Sequence, residues 1–509
     1  MNKVYLTPID QEALDPIFKN RLMLRRFNVT KQTFSPKPSL AYLKGDWYLN
    51  KLVEATKQFI AGNPASVHQE YYEWNLSYAE KYGRQGGTFP KEIMQQSYAR
   101  SYDLAARSVT FHYAKIGSDW LARYCQQLVD RYGHPNYSYV KTINTNSALP
   151  TGLKKGTFYA ETIGFKPYRH LLPNLPGQRY MRKKCRTINQ DACANVRLTE
   201  RILNNARNFL RDYIPRLFGS WLNPDLVVRP TATTIVDRNL YSVETDYEKM
   251  DEHFGYDATV TCVLPVYKAI LDPADYLTLD IMVSEMYDQP IYFGNFMYTG
   301  RHNLLSGQNP TNDFETIFQV CQTCGILLDL MDLDPLTIPQ LHLGDDLVVA
   351  FNTEKKAQIF FDAFISESNS NGLDINKEKS VIRHGKCQYC RKFYYKGGKR
   401  DVNSDGQAVL LGAYPSILCL NSIINPERVA VSQGIEALST YQRLDNCIGS
   451  PDYVPLIQLI CKHTNLLQVD ITDDDLVKLP SDWWFRLYGE RWDPLSSPTF
   501  NLVWSSKFN

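Results

Sequence analysis

The feature that most constrains this chain is a pair of adjacent acidic residues between two apolar stretches. In residues 341–350, LHLGDDLVVA, Gly344 precedes Asp345 and Asp346. The alternation predicts two short strands joined by a tight turn, with both acids at its tip. Adjacent carboxylates repel each other, and a divalent cation relieves that repulsion. An ordinary exposed turn is the alternative for Gly-Asp-Asp taken by itself.

A second acidic segment makes an ordinary exposed turn a weaker explanation of Gly-Asp-Asp. Residues 243–251, VETDYEKMD, place Asp246 and Asp251 where a strand predicted over residues 241–245 runs into a turn. Two strand ends that carry carboxylates can share metal ions. Phosphoryl transfer to a hydroxyl gains from two cations about 3.5 to 4 Å apart. Mg²⁺ suits a site built only from oxygen ligands, so these acids are candidate ligands of two magnesium ions.

Four segments together resemble a known family. DYEKMD, SGQNPTN, GDD and GLDINKEKS begin at residues 246, 306, 344 and 372. They resemble motifs A, B, C and D of viral RNA-dependent RNA polymerases, in that order. The resemblance implies that Asp246 and Asp345 ligate two Mg²⁺ ions, for which Mn²⁺ can substitute, and that Asp346 is the supporting acid. It also implies that Asp251 senses the ribose 2′-hydroxyl.

The resemblance gives nucleotide contacts to further residues. Many positive-strand virus polymerases have Asn four residues after the motif B threonine, whereas this chain has Glu315 there. Whether Asn312 or Glu315 partners Asp251 therefore stays open. Lys379 resembles the motif D lysine that protonates pyrophosphate, with Lys377 as a competitor. The segment KCRTI resembles motif F, whose cations hold the triphosphate. The nucleotide contacts implied in motifs B and F are Ser306, Gly307, Thr311, Asn312, Lys184, Arg186 and Ile188.

Two weaker resemblances concern RNA. Residues 389–393, YCRKF, resemble the motif E primer grip, which implies that Arg391 and Lys392 contact the nascent strand. Residues 146–150, NSALP, resemble motif G on the template entry path, which implies contacts from Ser147 and Pro150. The implied partners are template RNA, nascent RNA and nucleoside triphosphates.

The family resemblance also implies a fold. We expect an α+β protein shaped as a closed right hand, with a palm that carries the acids on the Gly-Asp-Asp hairpin. Residues 1–60 would bridge fingers and thumb, and residues 401–509 would form the thumb and a C-terminal tail. The fingers would comprise residues 61–225 and 258–300, and the palm residues 226–257 and 301–400. The tail carries Phe500, Trp504 and Phe508, and it either fills the product channel or packs on the thumb.

Composition fits a folded protein that is not secreted. The 509 residues carry a net charge of only +2, and no run of about 18 uncharged apolar residues appears. Eleven cysteines without an apolar signal segment indicate reduced thiols. The motifs and the length are most similar to picobirnavirus polymerases, with partitiviruses second. That resemblance implies a segmented double-stranded RNA genome, initiation without a protein primer, a capsid-protein partner, no membrane association, a monomer, and a location in the virion interior and host cytoplasm.

Other functions explain fewer of these features. Cys321, Cys324, Cys387 and Cys390 form two C-x-x-C pairs that could bind zinc, but the first pair lies in a predicted core helix. A reverse transcriptase usually has a bulky aromatic residue where this chain has Asp251. A capsid-associated RNA-binding protein without catalysis would leave the motif order unexplained. A metal-dependent nuclease would give Lys184 and Arg186 no role.

Overall fold

The structure is a computed structural model. It describes residues 2–5, 47–79, 91–105, 109–135, 173–181, 184–191, 193–222, 224–293, 296–308, 310–426, 430, 432–473, 475 and 497–505. Within these ranges, no helix combines the length and the apolar character that crossing a membrane requires.

Helices and short strands alternate along the chain. The helices are α1 (Trp47–Gly62), α2 (Gln69–Ser77), α3 (Lys91–Ala105), α4 (His112–Tyr132), α5 (Cys193–Tyr213), α6 (Pro215–Phe218), α7 (Val228–Asp237), α8 (Met250–His253), α9 (Tyr256–Ala258), α10 (Leu264–Ile270), α11 (Tyr276–Tyr287), α12 (Thr311–Gly325), α13 (Glu354–Ser370), α14 (Ser416–Ile424), α15 (Gln433–Asp445), α16 (Tyr453–His463) and α17 (Pro498–Val503). The strands are β1 (Asn2–Tyr5), β2 (Leu175–Met181), β3 (Lys184–Gln190), β4 (Tyr241–Asp246), β5 (Ile291–Tyr292), β6 (Phe296–Thr299), β7 (Gln340–Leu343), β8 (Asp346–Phe351), β9 (Val381–His384), β10 (Cys387–Tyr389), β11 (Lys392–Tyr394), β12 (Arg400–Val402) and β13 (Ala408–Leu410).

A four-stranded antiparallel sheet lies at the centre of the fold, in the order β7-β8-β4-β9. The run LVVAF in β8 is buried throughout, as expected for an inner strand covered on both faces. Leu347, Val349 and Phe351 belong to the main hydrophobic core, which includes α12 and α13. Val348 and Ala350 belong to a second core with α7 and β10. Alternate residues of β8 thus pack into two hydrophobic cores, one on each face of the sheet.

Helices α4 and α12 cross with backbone in contact with backbone. A methyl group on Gly117 would lie 1.8 Å from the carbonyl oxygen of Cys321, and one on Gly325 would lie 1.8 Å from that of Tyr113. Both glycines are therefore required by the close approach. The residues of α12 from Asp313 to Gly325 are all buried, so the helix behind the predicted motif B segment is a core element.

The C-terminal helical region, residues 416–505, has a hydrophobic core of its own. Tyr48, Leu49 and Leu52 of α1 enter this core beside residues of α14, α15 and α16. Helix α2 packs there too, where the Tyr71 hydroxyl donates to Asp452 at 2.7 Å. The sequence analysis assigned residues 61–225 to the fingers. Within that range, α2 packs against the C-terminal helical region, because the Tyr71 hydroxyl and the Asn75 amide donate to Asp452 there.

The start of the chain contacts a different part of the molecule. Strand β1 pairs antiparallel with β6 over Asn2–Tyr5, so residues 2–5 and α1 lie against separate regions. The predicted bridge over residues 1–60 stays a prediction, because residues 6–46 lie outside the described ranges.

The described part of the C-terminal tail packs on the C-terminal helical region. Val503 is buried in that core, and the Phe500 ring lies 5.4 Å from the Tyr441 ring. The Trp504 indole nitrogen donates to the Tyr441 hydroxyl at 3.0 Å. Of the two readings offered for the tail, packing is the one observed for residues 497–505, since these aromatic side chains are engaged. Phe508 lies outside the described residues.

Candidate active site

The central sheet brings the predicted catalytic acids together. In the antiparallel pairing of β4 with β8, Asp246 is directly opposite Asp346. Leu343 of β7 pairs with Asp346, which leaves Gly344 and Asp345 as a two-residue turn. Gly344 has φ +59°, in the left-handed region that glycine adopts readily. Asp345 therefore lies in the turn itself, and Asp346 is the first residue of the strand that follows.

Negative charge accumulates at this end of the sheet. Burial raises the pKa of Asp346 to about 6, with further upward shifts from Asp345 and Asp246. A hydrogen bond with the Cys390 thiol and the charge of Arg391 oppose the rise. In the described ranges, no three Asp, Glu, His or Cys side chains converge closely enough to hold a metal ion as they stand. The three carboxylates of Asp246, Asp345 and Asp346 offer the oxygen donors that Mg²⁺ prefers, and their negative charge attracts cations.

Lys379 lies against the first of these acids. Its ammonium nitrogen is 2.5 Å from Asp246 Oδ2. The segment is held in place by backbone contacts, since Asn376 N–H donates to the Asp246 carbonyl at 2.8 Å and the Asp246 N–H donates to Ser380 Oγ at 3.2 Å. Lys377 begins the same turn on an exposed position. Of the two competing lysines, Lys379 is the one that contacts the acid cluster.

The first turn of α12 packs beneath the Gly-Asp-Asp turn. The Gly344 N–H donates to Thr316 Oγ1 at 2.8 Å. A methyl group on Gly344 would lie 2.8 Å from Asn312 Nδ2 and 3.5 Å from Glu315 Oε2, so both side chains approach this turn. Asp251 Oδ1 accepts from the Glu252 N–H at 3.1 Å, and the choice between Asn312 and Glu315 as its partner stays open. The sequence analysis missed Thr316, although a position four residues after Asn312 shares its helix face.

The predicted motif B and motif F segments meet at their backbones. The Asn189 N–H donates to the Ser306 carbonyl at 2.7 Å. Gly307 has φ +104°, and a methyl group there would lie 2.2 Å from the Asn189 carbonyl oxygen. Thr311 Oγ1 donates to the Leu305 carbonyl at 2.9 Å and closes the loop before α12. Glycine is thus needed at 307 for both conformation and space.

The basic residues of motif F lie on a hairpin. Strand β3 pairs with β2, with Lys184 opposite Met181 and Arg186 opposite Arg179. Lys184, Arg186 and Ile188 occupy alternate positions of β3. Only the backbone of Lys184 and Arg186 is described. Ile188 is half-buried.

The predicted primer grip is a hairpin with a two-residue turn. Tyr389 pairs with Lys392, and Cys390 and Arg391 between them have φ values of +48° and +61°, as in a type I′ turn. Arg391 is exposed near Asp346. Lys392 points elsewhere: its ammonium donates to the Asn446 carbonyl at 2.5 Å, and burial lowers its pKa to about 8. Lys392 therefore connects the hairpin to the C-terminal helical region. Ser147 and Pro150 lie outside the described residues.

The two C-x-x-C pairs do not come together as a zinc site. Cys321 and Cys324 are buried in α12 within the main core, and burial raises the pKa of both thiols. Cys387 belongs to the separate core on the other face of the sheet. His342 is also buried, and its ring nitrogens pair with Gln319 at 3.1 Å and Gln340 at 2.9 Å. These side chains are core residues.

Comparisons with known proteins bear on the fold. No protein-family model matches the chain, and none of the curated proteins matches it in sequence. Among solved structures, the chain is similar to the RNA-dependent RNA polymerase of a human picobirnavirus, with a TM-score of 0.75, 17% identity, and coverage of 93% of this chain and 95% of that one. An insertion-loop deletion mutant of a human picobirnavirus polymerase gives a TM-score of 0.75 and 15% identity, over 94% of this chain and 97% of that one. The predicted viral polymerase fold and its likeness to picobirnavirus polymerases are thereby confirmed.

Proposed function

We propose that this chain is an RNA-directed RNA polymerase that copies a viral RNA genome by nucleotidyl transfer. The observation that carries the proposal is the pairing of Asp246 with Asp346 across β4 and β8, with Asp345 in the adjoining turn. Lys379 contacts Asp246 from a neighbouring segment. These four residue types match the order and roles of motifs A, C and D, and they occur in a chain with the fold of a viral polymerase.

The right-hand division of the chain is part of the proposal. The four-stranded sheet, within residues 226–257 and 301–400, serves as the palm. The C-terminal helical region serves as the thumb, joined by α1 and α2, and residues 258–300 together with the rest of residues 61–225 serve as fingers. Lys392 and its contact with Asn446 then connect the primer-grip hairpin to the thumb.

The three acids would hold two Mg²⁺ ions, with Mn²⁺ as a substitute. Such cations, when bound, activate the 3′-hydroxyl of the nascent strand and stabilise the leaving pyrophosphate. The raised pKa of Asp346 supports this assignment, because the nearby negative charge that causes part of the rise also attracts cations. Among the described residues, Lys379 places its ammonium against Asp246, and in the reaction it donates a proton to pyrophosphate.

The remaining motif residues bind the substrates. Lys184 and Arg186 hold the triphosphate, and Ile188 lies beside them. Asp251 accepts a hydrogen bond from the ribose 2′-hydroxyl, which selects ribonucleotides. Ser306, Gly307, Thr311 and Asn312 contact the nucleotide and template, and Arg391, Ser147 and Pro150 contact RNA.

The biological setting follows the same resemblance. The enzyme would replicate and transcribe a segmented double-stranded RNA genome, start copies without a primer, and act as a monomer beside capsid protein in the virion interior and host cytoplasm. Two solved structures to which the chain is similar are polymerases of a human picobirnavirus, which supports the picobirnavirus-like setting.

The test is RNA synthesis by the purified protein. Single-stranded RNA, four nucleoside triphosphates and Mg²⁺ or Mn²⁺ should give labelled complementary RNA. The same protein with Asp345→Ala and Asp346→Ala should give none while still folding, as judged by its circular dichroism. RNA binding without synthesis, on primed and unprimed templates and with either metal, would overturn the polymerase in favour of a structural RNA-binding protein.

A further inference from the structure

Gln289 is a buried amide that the sequence analysis did not single out. It lies between α11 and β5, and only 1% of its surface is exposed. A buried amide needs partners for both its carbonyl oxygen and its NH₂ group, because an unsatisfied buried polar atom costs about 1–3 kcal/mol. The partners of Gln289 come from segments that are far apart in the chain.

The two ends of this amide contact two different parts of the candidate site. The Gln289 Nε2 donates to Asp191 Oδ1 at 3.1 Å, and Asp191 follows β3 directly. The Gln289 Oε1 accepts from Gln308 Nε2 at 2.8 Å, and Gln308 is the residue after Gly307 in the motif B loop. One side chain thus joins the end of the strand that carries Lys184 and Arg186 to the loop that carries Ser306 and Gly307.

Gln308 transmits the contact to the rest of the loop. Its Oε1 accepts from the Leu305 N–H at 3.1 Å, and its Nε2 also donates to the Met286 carbonyl at 3.0 Å. Residues 305–308 are therefore closed by their own side chain, which Gln289 holds from outside. If the amide of Gln289 is lost, Gln308 loses a partner and the loop loses a fixed position.

A second contact runs beside the first. The Asn189 N–H donates to the Ser306 carbonyl at 2.7 Å, and the Tyr98 hydroxyl donates to Asn189 Oδ1. Strand β3 and the motif B loop thus meet at two adjacent points, one by backbone and one through Gln289. Two contacts fix the angle between the segments, whereas one contact would leave them free to pivot.

We infer that Gln289 is a positioning residue that couples the motif F hairpin to the motif B loop and so sets nucleotide affinity. This inference rests on the proposed polymerase function. Gln289 does not touch the reacting atoms. It holds the triphosphate-binding strand and the nucleotide-binding loop at one spacing, so its loss weakens nucleotide binding more than the chemical step.

The amide of Gln289 and the carboxylate of Asp191 can be exchanged by two substitutions. Gln289→Glu removes the donor to buried Asp191 and places a second carboxylate against it. The new carboxylate can still accept from Gln308 Nε2, but repulsion from Asp191 displaces the side chain and so disturbs both segments. Asp191→Asn added to it restores a donor on one side and acceptors on the other, at the original net charge. Gln289→Glu should raise the KM for nucleoside triphosphates about tenfold, with a smaller change in kcat, and the double variant should return KM to within about threefold of the wild-type value.

A matched control separates positioning from general damage. Asn75 is a buried amide beside another buried acid, Asp452, in the C-terminal helical region. Asn75→Asp therefore creates the same kind of carboxylate pair away from the hairpin and loop. It should lower the melting temperature and leave KM unchanged. Gln289→Met, which removes both polar ends without adding charge, should raise KM in the same direction and keeps the test available if Gln289→Glu does not fold.

Amide hydrogen exchange tests the coupling without relying on activity. The rate of amide hydrogen exchange should rise in both residues 184–190 and residues 304–308 of Gln289→Glu. Adding Asp191→Asn should return both rates to the wild-type values. A rise confined to one segment, a KM unaffected by Gln289→Met, or a double variant no better than Gln289→Glu would overturn the inference. If the wild-type protein makes no RNA, the proposed function fails, whereas the exchange measurement still decides the coupling.

Discussion

Two groups of carboxylates in this molecule have opposite surroundings. At the end of the central sheet, Asp346 faces Asp246 and adjoins Asp345, and burial and these two acids raise its pKa to about 6. In the C-terminal helical region, burial also raises the pKa of Asp452, but hydrogen bonds from Ser416 and Tyr71 oppose the rise. The first group accumulates charge, and the second group is surrounded by donors.

Asp445 follows the pattern of Asp452. Its carboxylate accepts from Ser497 Oγ at 2.7 Å, from the Thr499 N–H at 3.1 Å and from Thr499 Oγ1 at 2.5 Å. Asp445 thus joins α15 to α17, and Asp452 joins α16 to α2 and α14. A carboxylate surrounded by donors stabilises the fold, whereas acids placed against one another destabilise it. Under the proposed function, the acids of the first group are retained because they bind cations.

The largest expected effect comes from neutralising the acid cluster. Asp246→Asn should reduce RNA synthesis about a thousandfold or more, equivalent to about 4 kcal/mol of transition-state stabilisation. The free energy of unfolding should change by less than about 1 kcal/mol, because the relief of repulsion with Asp346 offsets the loss of the exposed ion pair with Lys379. Initial rates of nucleotide incorporation and urea denaturation give the two numbers. Residual activity above about a tenth would sink the catalytic assignment.

The second largest effect is a loss of stability without a comparable loss of activity. Asp452→Ala removes the acceptor of Tyr71, Ser416 and Asn75, and should lower the free energy of unfolding by about 3 kcal/mol. RNA synthesis at low temperature should stay within about threefold of wild type. Asp473→Ala, at an exposed position of the same region, is the matched control for denaturation followed by tryptophan fluorescence. Equal losses in the two variants would break the comparison.

Lys379 gives the third effect. Lys379→Met should slow nucleotide addition about a hundredfold, because a general acid contributes roughly that much. Lys377→Met, two residues earlier, is the control and should change the rate less than twofold. Single-turnover measurements separate addition from RNA release. A similar loss of rate in Lys379→Met and Lys377→Met would contradict the role given to Lys379 from its contact with Asp246.

The smallest effect is a pH dependence of stability. The pKa of Asp346 is raised from 3.8 to about 6 in the folded protein, so ionising it costs folding free energy. Its contribution is most favourable below pH 4 and is lost as the pH rises towards 6. Asp346→Asn should therefore reduce the decline of the melting temperature between pH 4 and 6. Asp452→Asn, in contrast, should lower the melting temperature at every pH. An unchanged slope for Asp346→Asn contradicts the charge argument.

Local patterns predicted the acid cluster well. The Gly-Asp-Asp turn, the strand before Asp246 and the Gly307 loop depend on residues close in sequence, so alternation and turn chemistry sufficed. Lys379 could be named but not separated from Lys377, because the choice depends on how its turn sits against β4. The pairing of Asp246 with Asp346 required the sheet register.

Contacts between distant segments were not predictable. Thr316 beneath Gly344, α2 against the C-terminal helices, and Gln289 between β3 and the motif B loop all join residues that no local pattern relates. The resemblance to a primer grip implied an RNA contact for Lys392, and its ammonium donates here to a carbonyl 54 residues later, a contact that no local pattern indicated. Tertiary packing decides such cases, since a cation can satisfy a backbone acceptor as well as a phosphate.

The crossing of α4 and α12 limits which parts of the site can move. At Gly117 and Gly325 the two backbones are so close that neither helix can slide or roll along the other without collision. The pair therefore acts as a rigid body. If the proposed polymerase changes shape between nucleotide additions, we expect the change in segments outside this pair of helices, such as the turn at Gly344.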